Sequence, residues 1–128
     1  RELILFQNIG TSHAEWAFRG RDGKWTSGQL VWPKREDTSI SPYGSERARV
    51  NYPNVVLRNR AVYFVGSSAY NKWARVSAKT AELYGRHKWG NRWRVLHYTW
   101  TPDITKEPFR PWVRVADTFE TGGWLFNG

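Results

Sequence analysis

The sequence has no cysteine and no methionine, and it lacks long apolar runs. The missing cysteine excludes disulfide bonds, thiol chemistry and cysteine-rich zinc sites. No apolar stretch approaches the roughly 18 residues needed to cross a bilayer, and no signal peptide is visible. Because the chain begins with Arg1 and contains no methionine, we expect it to be a processed or excised part of a longer protein.

Sequence signatures of metal and cofactor sites are absent as well. The three histidines do not have metal-ligand spacing, so we predict no metal site and no cofactor. There is no Gly-rich phosphate loop and no Gly-x-Ser-x-Gly motif. The carboxylates are scattered singly, and sequence alone cannot show two of them at glycosidase spacing.

Basic residues outnumber acidic ones, and the formal net charge is +9. The excess is densest in "KWARVSAKTAELYGRHKWGNRWR", residues 72–94, where Glu82 is the single acidic residue. Such a surface favours anionic partners, which include nucleic acid, anionic polysaccharide and acidic lipid headgroups. The nine tryptophans add either a core of large rings or stacking surfaces for flat ligands such as sugars and bases.

Alternating patterns predict an all-β chain. "ELILFQNIG", "EWAFRG", "GQLVW", "NVVLRNRAVYFVGSS", "RWRVLHYTW" and "PWVRVADT" have strand character, with turns at Arg21–Lys24 and Arg58-Asn59-Arg60. In "EWAFRG", Trp16 and Phe18 are predicted on one face and Glu15 and Arg19 on the other. Residues 33–48 are predicted to form a long loop, and spacings near three and four predict a short helix near 69–85.

The two halves of the chain resemble each other. "LILFQNIG" resembles "AVYFVGSS", "WAFRGRDGKW" resembles "LHYTWTPDI", and Asp22 and Asp103 both come just past a strand. We therefore predict a single β-rich unit, 1–128, with approximate repeats at 1–48 and 49–128, in which Phe6 matches Phe64 and Phe18 matches Tyr98. Repeats of this length suggest four-stranded antiparallel propeller blades.

"RDGKW", with Asp22, Gly23 and Trp25, resembles the Asp-box hairpin, in shortened form. The stretches "ILFQNIGTSHAEWAFRGRDGKW" and "YPNVVLRNRAVYFVGSS" resemble BNR-repeat proteins of the sialidase (neuraminidase)-like β-propeller type. The resemblance implies about two blades of a larger propeller, an extracellular or periplasmic location, and a Trp25 ring buried under its turn. A propeller needs about four to eight blades. The partners expected are the remaining blades of a parent chain or further copies of this one.

The resemblance also implies a site in the loops at the blade ends. His13 is the candidate proton donor or acceptor, and arginines beside it would hold a uronic carboxylate. Histidine is the residue type most often used for proton transfer, although a loop histidine bonded to backbone is an alternative for His13. Arg19 and Arg21 are candidate carboxylate ligands, with a solvated strand face as the more common explanation, and Trp16 is a further binding candidate.

A second possible binding surface is the basic, Trp-rich cluster, where stacking and charge would hold an anionic polymer. Its candidate binding residues are Trp73, Arg86, Lys88, Trp89, Arg92 and Trp93. A packed insertion with solvated charges explains the same residues equally well. His97, within "RVLHYTW", is predicted to be a hydrogen-bonded structural histidine.

The function expected from these features is recognition or processing of an anionic glycan, as part of a glycoside hydrolase or a polysaccharide lyase. The alternative is a non-enzymatic binding module, lectin-like or nucleic-acid-binding, that uses residues 72–94. The sequence leaves open whether the chain is an enzyme, since propellers serve many functions.

Overall fold

The computed structural model describes residues 1–7, 12–34, 47–69 and 93–117. This part of the chain is all-β and contains no helix. Its strands are β1 (Leu3–Gln7), β2 (His13–Arg19), β3 (Trp25–Val31), β4 (Val50–Arg58), β5 (Ala61–Ala69), β6 (Trp93–Thr101) and β7 (Val113–Asp117). The predicted all-β class is confirmed, whereas the predicted helix falls outside the described residues apart from Ala69, which ends β5.

The strands form two antiparallel sheets, each with its strands in chain order. The first sheet is β1-β2-β3 and the second is β4-β5-β6-β7. The three-stranded sheet lies within the predicted repeat 1–48, and the four-stranded sheet lies within 49–128. Lys34 and Arg47 form an isolated antiparallel bridge. Both residues belong to the connection between β3 and β4, which the sequence predicts to be a loop.

Alternation along the strands decides which face of each sheet is buried. In β2, Phe18 is buried and Trp16 is half-buried, while Glu15 on the opposite face is exposed, as the sequence predicts. The inner faces of the two sheets pack together, and the rings of Phe6 and Phe64 lie 5.3 Å apart across the interface. Among the described residues, the largest buried cluster contains Ala14, Leu30, Trp32, Val50 and Phe64.

The inner face of the three-stranded sheet depends on a glycine. Trp16 on β2 is the register partner of Gly28 on β3. A Cβ atom at position 28 would lie 2.4 Å from Trp16 Cζ2, so only glycine leaves room for the indole ring. Trp16 therefore lies against its neighbouring strand, and its buried Nε1 has no hydrogen-bond partner within the described ranges.

Short turns close one end of both sheets, which we call the hairpin end. Gly23 takes a φ of +78° between β2 and β3, a conformation that favours glycine. Asn59 and Arg60, with φ values of 47° and 68°, close the β4–β5 turn predicted from the sequence. Arg60 Nε also donates to Glu2 Oε1 at 3.1 Å, which ties this turn to the start of β1.

The turns after β2 and β6 use an aspartate in the same way. The Lys24 amide donates to Asp22 Oδ1 at 3.0 Å. The Thr105 amide and hydroxyl donate to Asp103 Oδ1 at 2.9 and 2.6 Å. The hydroxyl bond is the main reason that the pKa of Asp103 is lowered. Each carboxylate accepts from the amide two residues later, which is the local geometry that aspartate favours in turns.

Two sequence predictions are wrong. Trp25 is 51% exposed instead of buried, because it pairs with Arg19 on the outer face of the sheet. The Arg19 guanidinium lies 5.8 Å from the centre of the Trp25 ring. Phe18 does not match Tyr98 either, since Phe18 is buried on the inner face, while Tyr98 is half-buried and pairs with Val65 on the outer face.

Candidate functional site

The end opposite the hairpin end carries both histidines of the described residues, and we call it the histidine end. β2, β4 and β6 begin there, and β1, β3, β5 and β7 end there. The connections spanning 8–12, 32–49 and 70–92 therefore all join strands at this end. Residues far apart in sequence are brought together here by strand register.

His13 is the first residue of β2, and its ring has a polar side chain on each side. The Ser12 hydroxyl and His13 Nδ1 share a hydrogen bond of 2.8 Å. His13 Nε2 lies 4.0 Å from Glu15 Oε1, and the two side chains are 25% and 50% exposed. A solvent-accessible imidazole with one nitrogen fixed and the other beside a carboxylate is suited to accepting and donating a proton.

His97, near the start of β6, is buried and uncharged. Its Nε2 shares a hydrogen bond of 3.0 Å with the Ser68 hydroxyl on β5. Burial is the main reason that the pKa of His97 falls from 6.5 to about 4; the Arg114 charge lowers it further and Asp117 opposes the shift. The prediction of a hydrogen-bonded structural histidine is confirmed.

An ion pair lies beside His97 on β7. Arg114 Nη1 donates to Asp117 Oδ2 at 3.3 Å, and the Asp117 side chain is 2% exposed. A buried carboxylate is costly without a positive partner, and the Arg114 guanidinium supplies that partner. The two charges act on His97 in opposite directions, with the Arg114 effect the larger.

Trp112 contacts the His97 ring and the register partner of His13. Its Nε1 donates to the Val31 carbonyl at 2.7 Å, and Val31 is the register partner of His13. The Trp112 ring also meets the His97 ring edge-on, with 6.1 Å between the centroids. His13 on one sheet and His97 on the other therefore belong to the same end of the molecule.

Basic side chains flank this end. Arg47 Nη1 donates to the Trp32 carbonyl at 3.1 Å, and Trp32 in turn donates its amide to the Ser12 carbonyl. Lys34, the bridge partner of Arg47, is exposed. Basic residues at the same end as a partly exposed imidazole favour an anionic ligand.

The candidate binding residues Arg19 and Arg21 lie at the hairpin end. Arg19 ends β2 and Arg21 is exposed in the following turn. Arg19 lies six positions after His13 along β2, which corresponds to about 20 Å at the usual rise per residue. The structure thus does not bring these arginines to His13. Trp16 contacts Gly28 on the inner face instead of presenting its ring outward.

The remaining candidates belong to the basic cluster, and the structure does not describe them. Trp73, Arg86, Lys88, Trp89 and Arg92 fall within 70–92, and only the backbone of Trp93 is described, as the first residue of β6. Their predicted role as a binding surface stays a prediction. Their segment connects β5 and β6 at the histidine end.

Several residues of this end were missed by sequence reasoning. Ser12 precedes His13 directly, so the Ser-His pair was a local signal. By contrast, Ser68 is 29 residues from His97, and Arg114 and Asp117 meet His97 only through the β6–β7 register. No sequence spacing reveals such partners, because the intervening connections have no fixed length.

Within the described ranges, no group of three or more His, Asp or Glu side chains is placed to hold a metal ion. The same part of the chain has no helix long and apolar enough to span a membrane.

No protein-family model matches the chain, and neither a curated protein nor a solved structure resembles it significantly. The class that the fold defines is therefore an antiparallel all-β protein built from two packed sheets.

Proposed function

We propose that this chain is a pair of blade-like sheets from a sialidase-like β-propeller that binds an anionic glycan at the histidine end. In an enzyme of this kind, a glycoside hydrolase or a polysaccharide lyase, His13 accepts or donates the proton. The remaining blades are supplied by the parent chain or by further copies. The observation that carries the proposal is the Ser12–His13–Glu15 arrangement at a strand end flanked by basic side chains.

The similarity of the two sheets supports the propeller part of the proposal. Each sheet is an antiparallel meander, and Asp22 and Asp103 accept amide hydrogen bonds at equivalent turns after β2 and β6. Propellers are built by radial repetition of such meanders. Two sheets fall short of the four to eight blades that close a ring, so more sheets are required.

The proton-transfer role follows from the surroundings of the His13 ring. The Ser12 hydroxyl fixes Nδ1, which leaves Nε2 on the side of Glu15 and solvent. In a lyase, Nε2 would remove the proton next to a uronic carboxylate, and in a hydrolase it would protonate the leaving oxygen. Both reactions need a histidine that reaches substrate, which excludes the buried His97 from this role.

Titration calorimetry with an oligogalacturonate tests the proposal. We expect binding that weakens as salt increases, because the ligand is anionic, and no comparable binding of an uncharged oligoglucan of equal length. His13→Gln should weaken binding about ten-fold, the loss expected for one hydrogen bond to a charged group. Arg21→Gln, at the hairpin end, is the control and should change the affinity less than two-fold.

Two results would count against this function. Equal affinity for the charged and uncharged oligosaccharides would remove the anionic preference. Unchanged affinity in His13→Gln would remove the assignment of the site. Tighter binding of a single-stranded oligonucleotide than of either sugar would instead favour the nucleic-acid-binding alternative, whose salt dependence is steep.

A further inference from the structure

A cavity lies on the three-stranded sheet, close to His13. Its volume is about 670 Å³, which falls within the range of about 300–1,000 Å³ typical of small-ligand sites. Three consecutive residues from each of the three strands line it, namely residues 5–7, 15–17 and 27–29. Because the lining is continuous across the sheet, strand register determines which side chains face the cavity.

The lining residues form three rows across the strands. The row nearer the histidine end contains Gln7, Glu15 and Gln29, and the row nearer the hairpin end contains Leu5, Ala17 and Ser27. The row between them begins with Phe6, whose ring packs against Phe64 in the core. Since side chains alternate between the two faces of a sheet, the two flanking rows direct their side chains outward. The cavity therefore lies on the outer face, between these two rows.

The row nearer the histidine end is suited to binding hydroxyl groups. Gln7 and Gln29 are exposed, and each amide has two N–H donors and a carbonyl acceptor. Glu15 lies between them and accepts hydrogen bonds through its carboxylate. A sugar hydroxyl both donates and accepts, so it can pair with all three side chains. Leu5 and Ala17 in the other row offer apolar surface to the C–H groups of a sugar ring.

The charge of the cavity differs from that of the rest of the histidine end. None of the described residues that line it is basic, and its single charged side chain is Glu15. A ligand carboxylate placed there would be repelled. The basic residues Lys34 and Arg47 lie in the connection beyond β3, outside the lining. The histidine end therefore favours an acidic sugar unit, whereas the cavity favours an uncharged one.

We propose that the cavity binds an uncharged sugar unit next to the acidic unit held at His13, with Gln7 and Gln29 as the residues that select it. The inference rests on the proposed function and deepens it, because it specifies the neighbouring sugar. Glu15 Oε1 lies 4.0 Å from His13 Nε2, so one glycan can occupy both sites. The cavity ends one row before Arg19, which leaves the hairpin end outside the site.

Titration calorimetry with two oligogalacturonates of equal length tests this selectivity. One carries a free carboxylate on every unit. In the other, every second carboxylate is a methyl ester, which removes the charge and keeps the linkage. At physiological ionic strength, where distant charges are screened, we expect the half-esterified ligand to bind about three-fold tighter, the size typical of one exposed charge pair. Glu15→Gln should remove this preference, because glutamine keeps the size and loses the charge.

The two amide side chains are tested by the double variant Gln7→Ala with Gln29→Ala. Its affinity for the half-esterified ligand should fall about ten-fold, the effect of two hydrogen bonds between uncharged groups. Thr26→Ala is the matched control, since Thr26 is exposed on β3 but lies outside the lining, and it should change the affinity less than two-fold. All these substitutions are at exposed positions, so each variant should unfold at the same urea concentration as the unaltered chain.

The outcomes separate this inference from the function on which it rests. Equal or weaker binding of the half-esterified ligand by the unaltered chain would overturn the inference and leave the proposed function intact. A preference that persists in Glu15→Gln, or unchanged affinity in the double variant, would do the same. If neither oligogalacturonate binds, the inference and the proposed function both fail.

Discussion

Replacement of Trp32 by alanine is expected to lower the free energy of unfolding by about 3–5 kcal/mol, the range for large buried aromatic residues. Trp32 is 1% exposed, and its ring lies between Phe64 and Trp112 at centroid distances of 6.1 and 6.2 Å. It belongs to neither sheet and fills the space between both. The loss is a large part of the stability of an ordinary domain.

Urea unfolding followed by circular dichroism measures this loss, with Trp25→Ala as the matched control. Trp25 is the same residue type but is 51% exposed, so its replacement should change the free energy of unfolding by less than about 1 kcal/mol. If Trp32→Ala does not fold, Trp32→Phe keeps part of the contact and should show an intermediate loss. Equal losses for Trp25→Ala and Trp32→Ala would contradict the packing described here.

Acidification is expected to destabilise the protein through His97. Its pKa is about 4 in the folded protein, against 6.5 for an ordinary histidine. The unfolded chain therefore binds a proton at a higher pH than the folded chain does. The stabilisation is complete above pH 6.5 and is lost as the pH falls toward 4, by about 3 kcal/mol in total at about 1.36 kcal/mol per pH unit.

The free energy of unfolding between pH 4 and pH 7.5 tests this in three proteins. His97→Gln retains a polar group toward Ser68 but cannot take up a proton, so its dependence on pH should be shallower than that of the unaltered chain. His13→Gln, at the same end but with a side chain that is 25% exposed, is the control and should keep the steeper dependence. An unchanged slope in His97→Gln would show that His97 does not carry the acid sensitivity.

The strands were predictable because alternation is a local property of the sequence. β2, β5 and β6 and the Arg58-Asn59-Arg60 turn follow directly from the pattern of apolar residues and turn formers. Trp25 was not predictable in the same way. Its face depends on register with Arg19, and register is a property of the paired strands, not of one strand alone.

The site was partly predictable for the same reason. His13 and the structural role of His97 could be anticipated from their positions in strands and loops. The network around His97 could not, because Ser68, Arg114 and Asp117 come from two other strands. Arg19 is close to His13 in sequence, yet an extended strand places it at the opposite end of the sheet.

The arrangement separates two properties of the molecule by location. The inner sheet faces carry the stability through Trp32 and Phe64. The histidine end combines a solvent-accessible imidazole with basic neighbours. A variant at one of these locations should therefore affect its own property most, which makes the proposals separable by experiment.

The most direct test of the functional proposal is to map an oligogalacturonate onto the chain by amide chemical shifts in solution. The account predicts the largest changes at the histidine end, in residues 12–15, 31–34 and 95–97, with His13 side-chain signals shifting at the same ligand concentration. Residues 20–24 and 59–60 at the hairpin end should change little. Chemical-shift changes centred on Arg19, Arg21 and the hairpin end, with no change in the His13 signals, would contradict this proposal.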